Sequence, residues 1–191
     1  MTKAANSVSL YSRFFSLSHA DTVLDYGTGT LRNALYLAEQ GFTVYAADLP
    51  EQVQTLRDHP GVQRLAGLLE VGELEQSRLG VNLVLSTYVF NIIRQKSERS
   101  RYLKILVANL RPGGYLLMEM CCRHDDAQCG AACDHCLNCE ECAKNYTHHQ
   151  LDLLLAPYGF KRICHYYSSH ALTAIYRLAG EAAGQEDTPG A

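Results

Sequence analysis

Five cysteines form a cluster in the last third of the sequence, spaced Cys-x3-Cys-x2-Cys-x2-Cys-x2-Cys: Cys129, Cys133, Cys136, Cys139 and Cys142. Two thiolates separated by two residues can converge on one metal ion, and four ligands complete a tetrahedral zinc site. The segment 123–145 carries almost no large apolar side chains. A bound metal would therefore supply the order that burial cannot. The spacing predicts zinc first, an iron–sulfur cluster second, and free or redox-active thiols third.

A glycine-rich turn, Gly27-Thr28-Gly29, stands between a short apolar run and a helical pattern. Glycines let a ligand approach the backbone closely, and the start of a helix suits nucleoside or phosphate groups. Asp48 ends the next apolar run, where a carboxylate can accept hydrogen bonds from both hydroxyls of a ribose. Asp25, just before the turn, would repel a pyrophosphate but suits an ammonium group. The pattern therefore favours S-adenosylmethionine over a dinucleotide.

Composition and charge exclude several classes of protein. The 191 residues are 47% hydrophobic, and 17 Lys+Arg against 20 Asp+Glu give a net charge of −3, a balance that argues against nucleic-acid binding. No apolar run reaches the roughly 20 residues that span a bilayer, and residues 1–9 contain no apolar segment typical of a secretory signal. We expect a cytoplasmic protein that binds neither membrane nor nucleic acid. The sequence does not set its oligomeric state.

Apolar runs alternate with helical patterns over the first 120 residues. The helical patterns include residues 31–38 and 50–59. The predicted strands are Thr22–Tyr26, 42–47, 62–66, 81–86 and 115–120. Strands separated by helices imply right-handed crossovers and a parallel sheet covered on both faces.

The chain after the cysteines has a different pattern. A capping box of Thr147 and Gln150 predicts the start of a helix, and Phe160–Tyr167 and Ala171–Leu178 predict a hairpin. The predicted fold is therefore α/β: a doubly wound, mostly parallel seven-stranded sheet with an antiparallel C-terminal hairpin and a Cys-rich insertion after strand five. We expect one domain over residues 1–179, the insertion at about 121–146, and a disordered tail at 180–191.

Three stretches together resemble the class I, Rossmann-like S-adenosylmethionine-dependent methyltransferases. They are VLDYGTGTLRNALYLAEQGFTVYAADLP at residues 23–50, VNLVLSTYVFN at 81–91 and LRPGGYLLMEM at 110–120. Within that family, RNALYLAEQGF is most similar to small-molecule methyltransferases of the tellurite-resistance type. The sequence departs from the family pattern at Leu31, which often is a third glycine, and at Asn82, which commonly is aspartate. In addition, no acidic residue ends the predicted third strand.

The resemblance implies cofactor-binding roles for residues that follow or end the first four strands: Asp25, Gly27, Gly29, Asp48, Leu49, Leu68 and Ser86. The aspartate and the two glycines of the turn would contact the methionine half of the cofactor. Asp48 would hold the ribose hydroxyls, and Leu49 would pack on the adenine ring. The backbone of Gly67 or Leu68 would replace the missing acidic contact to adenine, and Ser86 would line the cleft.

Methyl transfer from a sulfonium mainly requires that the acceptor be held in line and that water be excluded. Residues that follow the fourth and fifth strands lie where ligands collect in such sheets, and among them we name Tyr88 and His124 as candidate catalytic residues. The sequence has neither the Asn/Asp-Pro-Pro-aromatic motif of base amino methylation nor the Pro-Cys of cytosine methylation. A small-molecule acceptor is therefore favoured.

The sequence leaves three functional hypotheses open. The first is an S-adenosylmethionine-dependent methyltransferase of small molecules, with a zinc-bound Cys-rich loop over the acceptor cleft. The second keeps the reaction but makes the acceptor a thiol or metalloid held by the cysteines. The third is a metal- or redox-sensing binding protein on a methyltransferase-like scaffold.

Overall fold

Seven strands form one sheet in the computed structural model, which describes residues 3–121, 145–168 and 171–180. In chain order they are β1 Thr22–Tyr26, β2 Thr43–Asp48, β3 Gly67–Glu70, β4 Val81–Thr87, β5 Leu110–Cys121, β6 Phe160–Tyr167 and β7 Ala171–Leu178. The order across the sheet is β3-β2-β1-β4-β5-β7-β6. The first five strands are parallel, and β7 runs antiparallel to both β5 and β6. The predicted mostly parallel sheet with an antiparallel C-terminal pair is confirmed.

Helices cover both faces of this sheet. They are α1 Asn6–Leu17, α2 Arg32–Glu39, α3 Pro50–Leu56, α4 Val71–Gln76, α5 Lys96–Asn109 and α6 His148–Leu155. Side chains of a strand point alternately to opposite faces. In β1, Val23 accordingly packs in the cluster that includes α1 and α2, and Leu24 packs in the cluster that includes α5 and α6. Packing in these two clusters holds the strands side by side, so the carboxyl ends of the parallel strands lie at one edge of the sheet.

The predicted third strand, at residues 62–66, is wrong. Pro60–Arg64 forms a 3-10 helix instead, and β3 begins at Gly67. The apolar side chains of Val62 and Leu65 face the core at the spacing of a helical turn rather than of a strand. The shift places Glu70 at the end of β3, directly opposite Asp48 in the parallel register. An acidic residue therefore does end the third strand.

The two departures from the family pattern have local structural explanations. Leu31 has a φ of 63°, a left-handed conformation that favours glycine, but its side chain is fully buried in the core. Asn82 clips β4 to β1: its Oδ1 accepts hydrogen bonds from the backbone N–H and the hydroxyl of Thr22. Leu31 therefore packs in the core beside the turn, and Asn82 joins the starts of β1 and β4.

The predicted capping box at the start of α6 is confirmed, whereas two other helices were not predicted from the sequence. The Thr147 hydroxyl accepts from the Gln150 backbone N–H, and the Gln150 side chain accepts from the Thr147 backbone N–H. The helices α1 and α4 were not predicted. Within the described ranges, no helix is both long enough and apolar enough to cross a bilayer.

The Cys-rich segment is not part of the described structure. The cysteines at 129–142 and His124 lie outside the described residues, as does nearly all of the predicted tail. The predicted insertion at about 121–146 and the domain boundaries at 1–179 therefore stay predictions.

Candidate functional site

A cavity of about 590 Å³ opens at the carboxyl ends of β1, β2 and β4. Ligands collect at this edge in open α/β sheets, because the strand order reverses between β1 and β4. Its lining residues come from the glycine turn, from the start of α3 and α4, from the segment after β4, and from α5: Tyr26, Gly27, Gly29, Asp48, Leu49, Gln52, Val71, Thr87, Tyr88, Val89, Ile92, Ile93, Glu98, Arg101, Tyr102 and Ile105.

The glycine turn is fixed to the end of β2 by several hydrogen bonds. The backbone N–H of Gly27 donates to the Ala47 carbonyl at 2.8 Å. The N–H of Gly29 donates to Asp48 Oδ2 at 2.8 Å, and Gln52 Nε2 donates to the Gly29 carbonyl at 2.7 Å. The peptide groups on both sides of Gly29 are thereby held, and the loop is preorganised at the wall of the cavity.

Gly27 needs to be glycine for two reasons. Its φ of 86° lies in the left-handed region, and an added Cβ would stand 2.3 Å from Val89 Cγ2. Gly29 also has a left-handed φ, of 57°, but an added Cβ there meets no protein atom within 4 Å. The backbone of Gly29 therefore faces open space on the cavity side.

One part of the cavity wall is apolar. Leu49 and Ile92 are each 60% exposed, yet both line the cavity, together with Val71 and Ile105. Large apolar side chains that remain exposed around a concave space mark a binding site for an apolar, flat group. Val71 directly follows Glu70, whose carboxylate caps α4 and lies 3.3 Å from Arg57.

A pair of stacked tyrosines forms one wall. The rings of Tyr26 and Tyr102 are nearly parallel, with centroids 4.2 Å apart, and both line the cavity. Tyr102 donates a hydrogen bond to Ser86 Oγ at 2.8 Å. Ser86 is fully buried, so it supports this wall from behind and is not itself a lining residue.

Asp25 lies behind the glycine turn as a fully buried carboxylate. Thr28 Oγ1 donates to its Oδ2 at 2.8 Å, and its Oδ1 has no hydrogen-bond partner among the described residues. Burial raises the pKa of Asp25 to about 6, although Thr28, the backbone of Ala34 and the charge of Arg32 act to lower it. The carboxylate thus has capacity for one more donor or positive charge.

On the other side of the turn, Tyr88 follows β4 and lines the cavity. Its φ of 59° is unusual for a residue with a side chain. Glu119 of β5 holds it at two points: the Tyr88 backbone N–H donates to the Glu119 carbonyl at 2.7 Å, and its phenol donates to Glu119 Oε1 at 2.9 Å. The other carboxylate oxygen, Oε2, accepts from the hydroxyl of Ser7 in α1.

A second set of hydrogen bonds brings the start of the chain to the same place. The Ala5 backbone N–H donates to Asn33 Oδ1 at 2.9 Å, and Asn33 Nδ2 donates to Thr87 Oγ1 at 2.9 Å. Ser7, Asn33 and Glu119 are all buried. Helix α1 is therefore tied to the carboxyl ends of β4 and β5 by side chains and not only by apolar packing.

The structure brings together most of the cofactor-binding residues that the sequence selected. Gly27, Gly29, Asp48, Leu49 and Tyr88 line one cavity. Asp25 and Ser86 are buried behind it. Leu68 lies on β3 and packs against the core on the α2 side, and Val71 takes the lining position instead. His124 and the five clustered cysteines lie outside the described residues.

Gln52 and Glu119 were not predicted as site residues from the sequence. Gln52 lies in the first turn of α3, and its side chain reaches the Gly29 carbonyl. Glu119 is the only polar residue in the apolar run Leu116–Leu117–Met118–Glu119–Met120. A charged residue in a buried strand is a signal of function or pairing, and it would have selected Glu119.

The chain matches a known family and shares its fold with solved structures. A family model described as a methyltransferase domain matches residues 5–181. No curated protein sequence matches the chain.

Several solved structures share the fold at low sequence identity. The 1,6-didemethyltoxoflavin-N1-methyltransferase of Burkholderia thailandensis, solved with 1,6-didemethyltoxoflavin and S-adenosylhomocysteine, has a TM-score of 0.65 and 19% identity over 91% of this chain and 79% of its own. Human N-acetylserotonin methyltransferase, solved with SAM, has a TM-score of 0.68 and 19% identity over 91% of this chain and 52% of its own. TehB of Haemophilus influenzae has a TM-score of 0.66 and 17% identity over 93% and 63%.

Gly27→Ala should destabilise the protein more than Gly80→Ala. Both residues have a left-handed φ, but an added Cβ at Gly80 meets nothing within 4 Å, so that variant isolates the backbone strain. Overpacking against Val89 should cost a further ~1–3 kcal/mol in Gly27→Ala. The free energy of unfolding in urea measures both, and equal losses would show that the close approach at Gly27 carries no energetic cost.

Asp25→Asn should change how stability depends on pH. The folded pKa of about 6 exceeds the ~4 of an unfolded aspartate, so the native state binds more protons between these values and wild-type stability falls as pH rises through that window. Asparagine does not titrate. The unfolding free energy of the variant relative to wild type should therefore rise by about 2–3 kcal/mol from pH 4 to pH 7. Parallel stability profiles would contradict the raised pKa.

Proposed function

This chain belongs to the methyltransferase domain family, and on that premise we propose that it transfers the methyl group of S-adenosylmethionine to a small-molecule acceptor. One observation carries the proposal: one cavity is lined by the glycine turn, by Asp48 and by the apolar side chains of Leu49 and Ile92. S-adenosylmethionine carries a polar amino-acid chain, a ribose diol and a flat ring, which match these three kinds of lining group.

The residues present fit this cofactor. The volume of about 590 Å³ lies within the ~300–1,000 Å³ typical of small-molecule sites. Asp48 uses one lone pair of each oxygen for the N–H groups of Gly29 and Leu49, and a carboxylate has about four acceptor positions. Two remain for ribose hydroxyls. Leu49 and Val71 would flank the adenine, and Glu70, at the end of β3, would meet its amino group.

Two charged residues near the turn suit the methionine end. Asp25 has an unused oxygen, Oδ1, which suits the cofactor ammonium directly or through water. Arg32 is half-buried at the start of α2 and close enough to lower the pKa of both Asp25 and Tyr88. It forms no ion pair with any described residue. We assign it to the carboxylate of the methionine half.

S-adenosylmethionine supplies an electrophilic methyl group whose leaving sulfur departs neutral, so the chain needs little acid catalysis. Its residues must instead hold the acceptor in line and exclude water. We assign Tyr88 to the acceptor, because it lines the cavity and its phenol is hydrogen-bonded to Glu119. His124 stays a candidate base. A small acceptor is supported by the names of two structural relatives, which act on 1,6-didemethyltoxoflavin and N-acetylserotonin.

The zinc-bound loop over the acceptor cleft is part of the proposal and rests on cysteine spacing. Within residues 3–121, 145–168 and 171–180, no three His, Cys, Asp or Glu side chains are grouped to hold a metal ion. The proposed ligands therefore come from Cys129, Cys133, Cys136, Cys139 and Cys142. The alternatives, a thiol or metalloid acceptor and a sensing protein without transfer, would use the same thiols.

Asp48→Ala should weaken the binding of S-adenosylmethionine and S-adenosylhomocysteine by about tenfold or more, since it removes charge-assisted hydrogen bonds to the ribose and frees the glycine turn. Isothermal titration calorimetry measures the dissociation constants. Asp58→Ala removes an exposed carboxylate that does not line the cavity and should bind both ligands as wild type does. Unchanged affinity in Asp48→Ala would remove Asp48 from the site.

Cys136→Ser should release bound metal and leave the binding of S-adenosylhomocysteine intact, because the cofactor cavity is built from residues 26–105. Elemental analysis of the purified protein gives the metal and its amount, and a colourless protein with zinc distinguishes that ion from an iron–sulfur cluster. Cys164→Ser, at a lone half-buried thiol on β6, is the matched control. Equal metal content in the two variants would show that the ligand set is wrong.

A further inference from the structure

The phenol of Tyr88 uses its only proton in a hydrogen bond to a carboxylate. It donates its proton to a carboxylate, Glu119 Oε1, at 2.9 Å. A tyrosine oxygen has one proton and two lone pairs, so after that bond only acceptor capacity remains. Burial raises the pKa of Tyr88, and the charge of Glu119 raises it further. The phenol therefore stays neutral and keeps its proton directed at Glu119.

Glu119 is itself built into the frame of the site. Its side chain is 6% exposed, and its two oxygens accept from different elements, Tyr88 after β4 and Ser7 in α1. Neither partner carries a positive charge. Among the described residues, no Lys, Arg or His forms an ion pair with Glu119. This buried carboxylate is therefore held by two hydroxyl donors, and no ion pair among the described residues compensates a negative charge on it.

The backbone of Tyr88 is also held in an uncommon conformation. A left-handed φ of 59° in a tyrosine costs about 1–3 kcal/mol unless the surroundings impose it. The bond from its N–H to the Glu119 carbonyl, at 2.7 Å, imposes it here. Strained residues of this kind cluster where a side chain must be aimed at a ligand. The strain and the phenol contact thus point to the same residue pair.

Resting on the proposed function, we propose that Tyr88 and Glu119 select the methyl acceptor: the Tyr88 oxygen accepts a hydrogen bond from an N–H or O–H of an acceptor whose nucleophilic atom is uncharged and keeps a free lone pair for the methyl group. Glu119 acts as a positioning residue, since it fixes the direction of the Tyr88 proton and supplies negative potential. The acceptor class is therefore a protic nitrogen or oxygen nucleophile, such as an amine, a ring N–H or a phenol.

The same arrangement disfavours anions. An oxyanion, a thiolate or a carboxylate has no proton to give to the Tyr88 oxygen, and it would approach the uncompensated charge of Glu119. Like charges at short range in a partly buried site repel strongly. The pair thus argues against a metalloid oxyanion or thiolate as the acceptor. The charge of Arg32 lowers the pKa of Tyr88, but Arg32 is already assigned to the methionine carboxylate.

Two cofactor analogues test this inference without a known acceptor. S-adenosylhomocysteine is uncharged at sulfur. In sinefungin a carbon atom replaces the sulfur, and an ammonium group on that carbon takes the place of the methyl group. That ammonium is a cationic N–H donor at the position where the acceptor meets the methyl group. Calorimetry gives the dissociation constants of both ligands for wild type, Tyr88→Phe and Glu119→Gln. Tyr36→Phe, which removes a phenol outside the cavity, is the matched control.

Wild type and Tyr36→Phe should bind sinefungin at least about tenfold tighter than S-adenosylhomocysteine, which is the value of one charge-assisted hydrogen bond. Tyr88→Phe and Glu119→Gln should bring that ratio close to one. Glu119→Gln keeps the shape of the side chain, so a lost ratio there reports its charge. If Glu119→Gln fails to fold, Tyr88→Phe decides alone.

A sinefungin preference that is absent in wild type, or unchanged in Tyr88→Phe, would overturn the inference and leave the proposed function standing. Failure of wild type to bind S-adenosylhomocysteine would overturn the proposed function, and the inference with it. The two failures are distinguished by the same titration series.

Discussion

The bond from the Gly29 N–H to Asp48 Oδ2, at 2.8 Å, is the contact on which the shape of the cavity depends. It joins the turn after β1 to the end of β2, two places that parallel pairing brings side by side. The bond leaves spare lone pairs on Asp48 and directs the backbone of Gly29 toward open space. One carboxylate thus both shapes the loop and faces the cavity, so a ligand diol meets an already ordered site.

A second constraint closes the site from the other side. Glu119 in β5 is hydrogen-bonded to Ser7 in α1, residues separated by 112 positions in the chain. The N-terminal helix, the segment after β4 and the end of β5 therefore meet around one buried carboxylate. The glycine turn is held through Asp48 and Gln52, whereas Tyr88 is held through Glu119.

The sequence predicted what depends on local pattern and missed what depends on distant pairing. Gly27 and Asp48 were found because each ends or follows an apolar run at a set distance. Residues 62–66 were assigned to a strand because a short apolar run does not distinguish a strand from a helical turn. The true end of β3, and so the place of Glu70, emerged only from its pairing with β2. The partner of Tyr88 could not be read from its neighbours, since Glu119 lies 31 residues away.

The most direct test of the account is a titration of 15N-labelled protein with S-adenosylhomocysteine, followed by backbone amide shifts. The account predicts that the largest shifts occur at Gly27, Gly29, Leu49 and Val71, which surround the cavity, and that the amides of the β6–β7 hairpin stay unchanged. Amide shifts that are absent at millimolar ligand, or that centre on the hairpin, would contradict it.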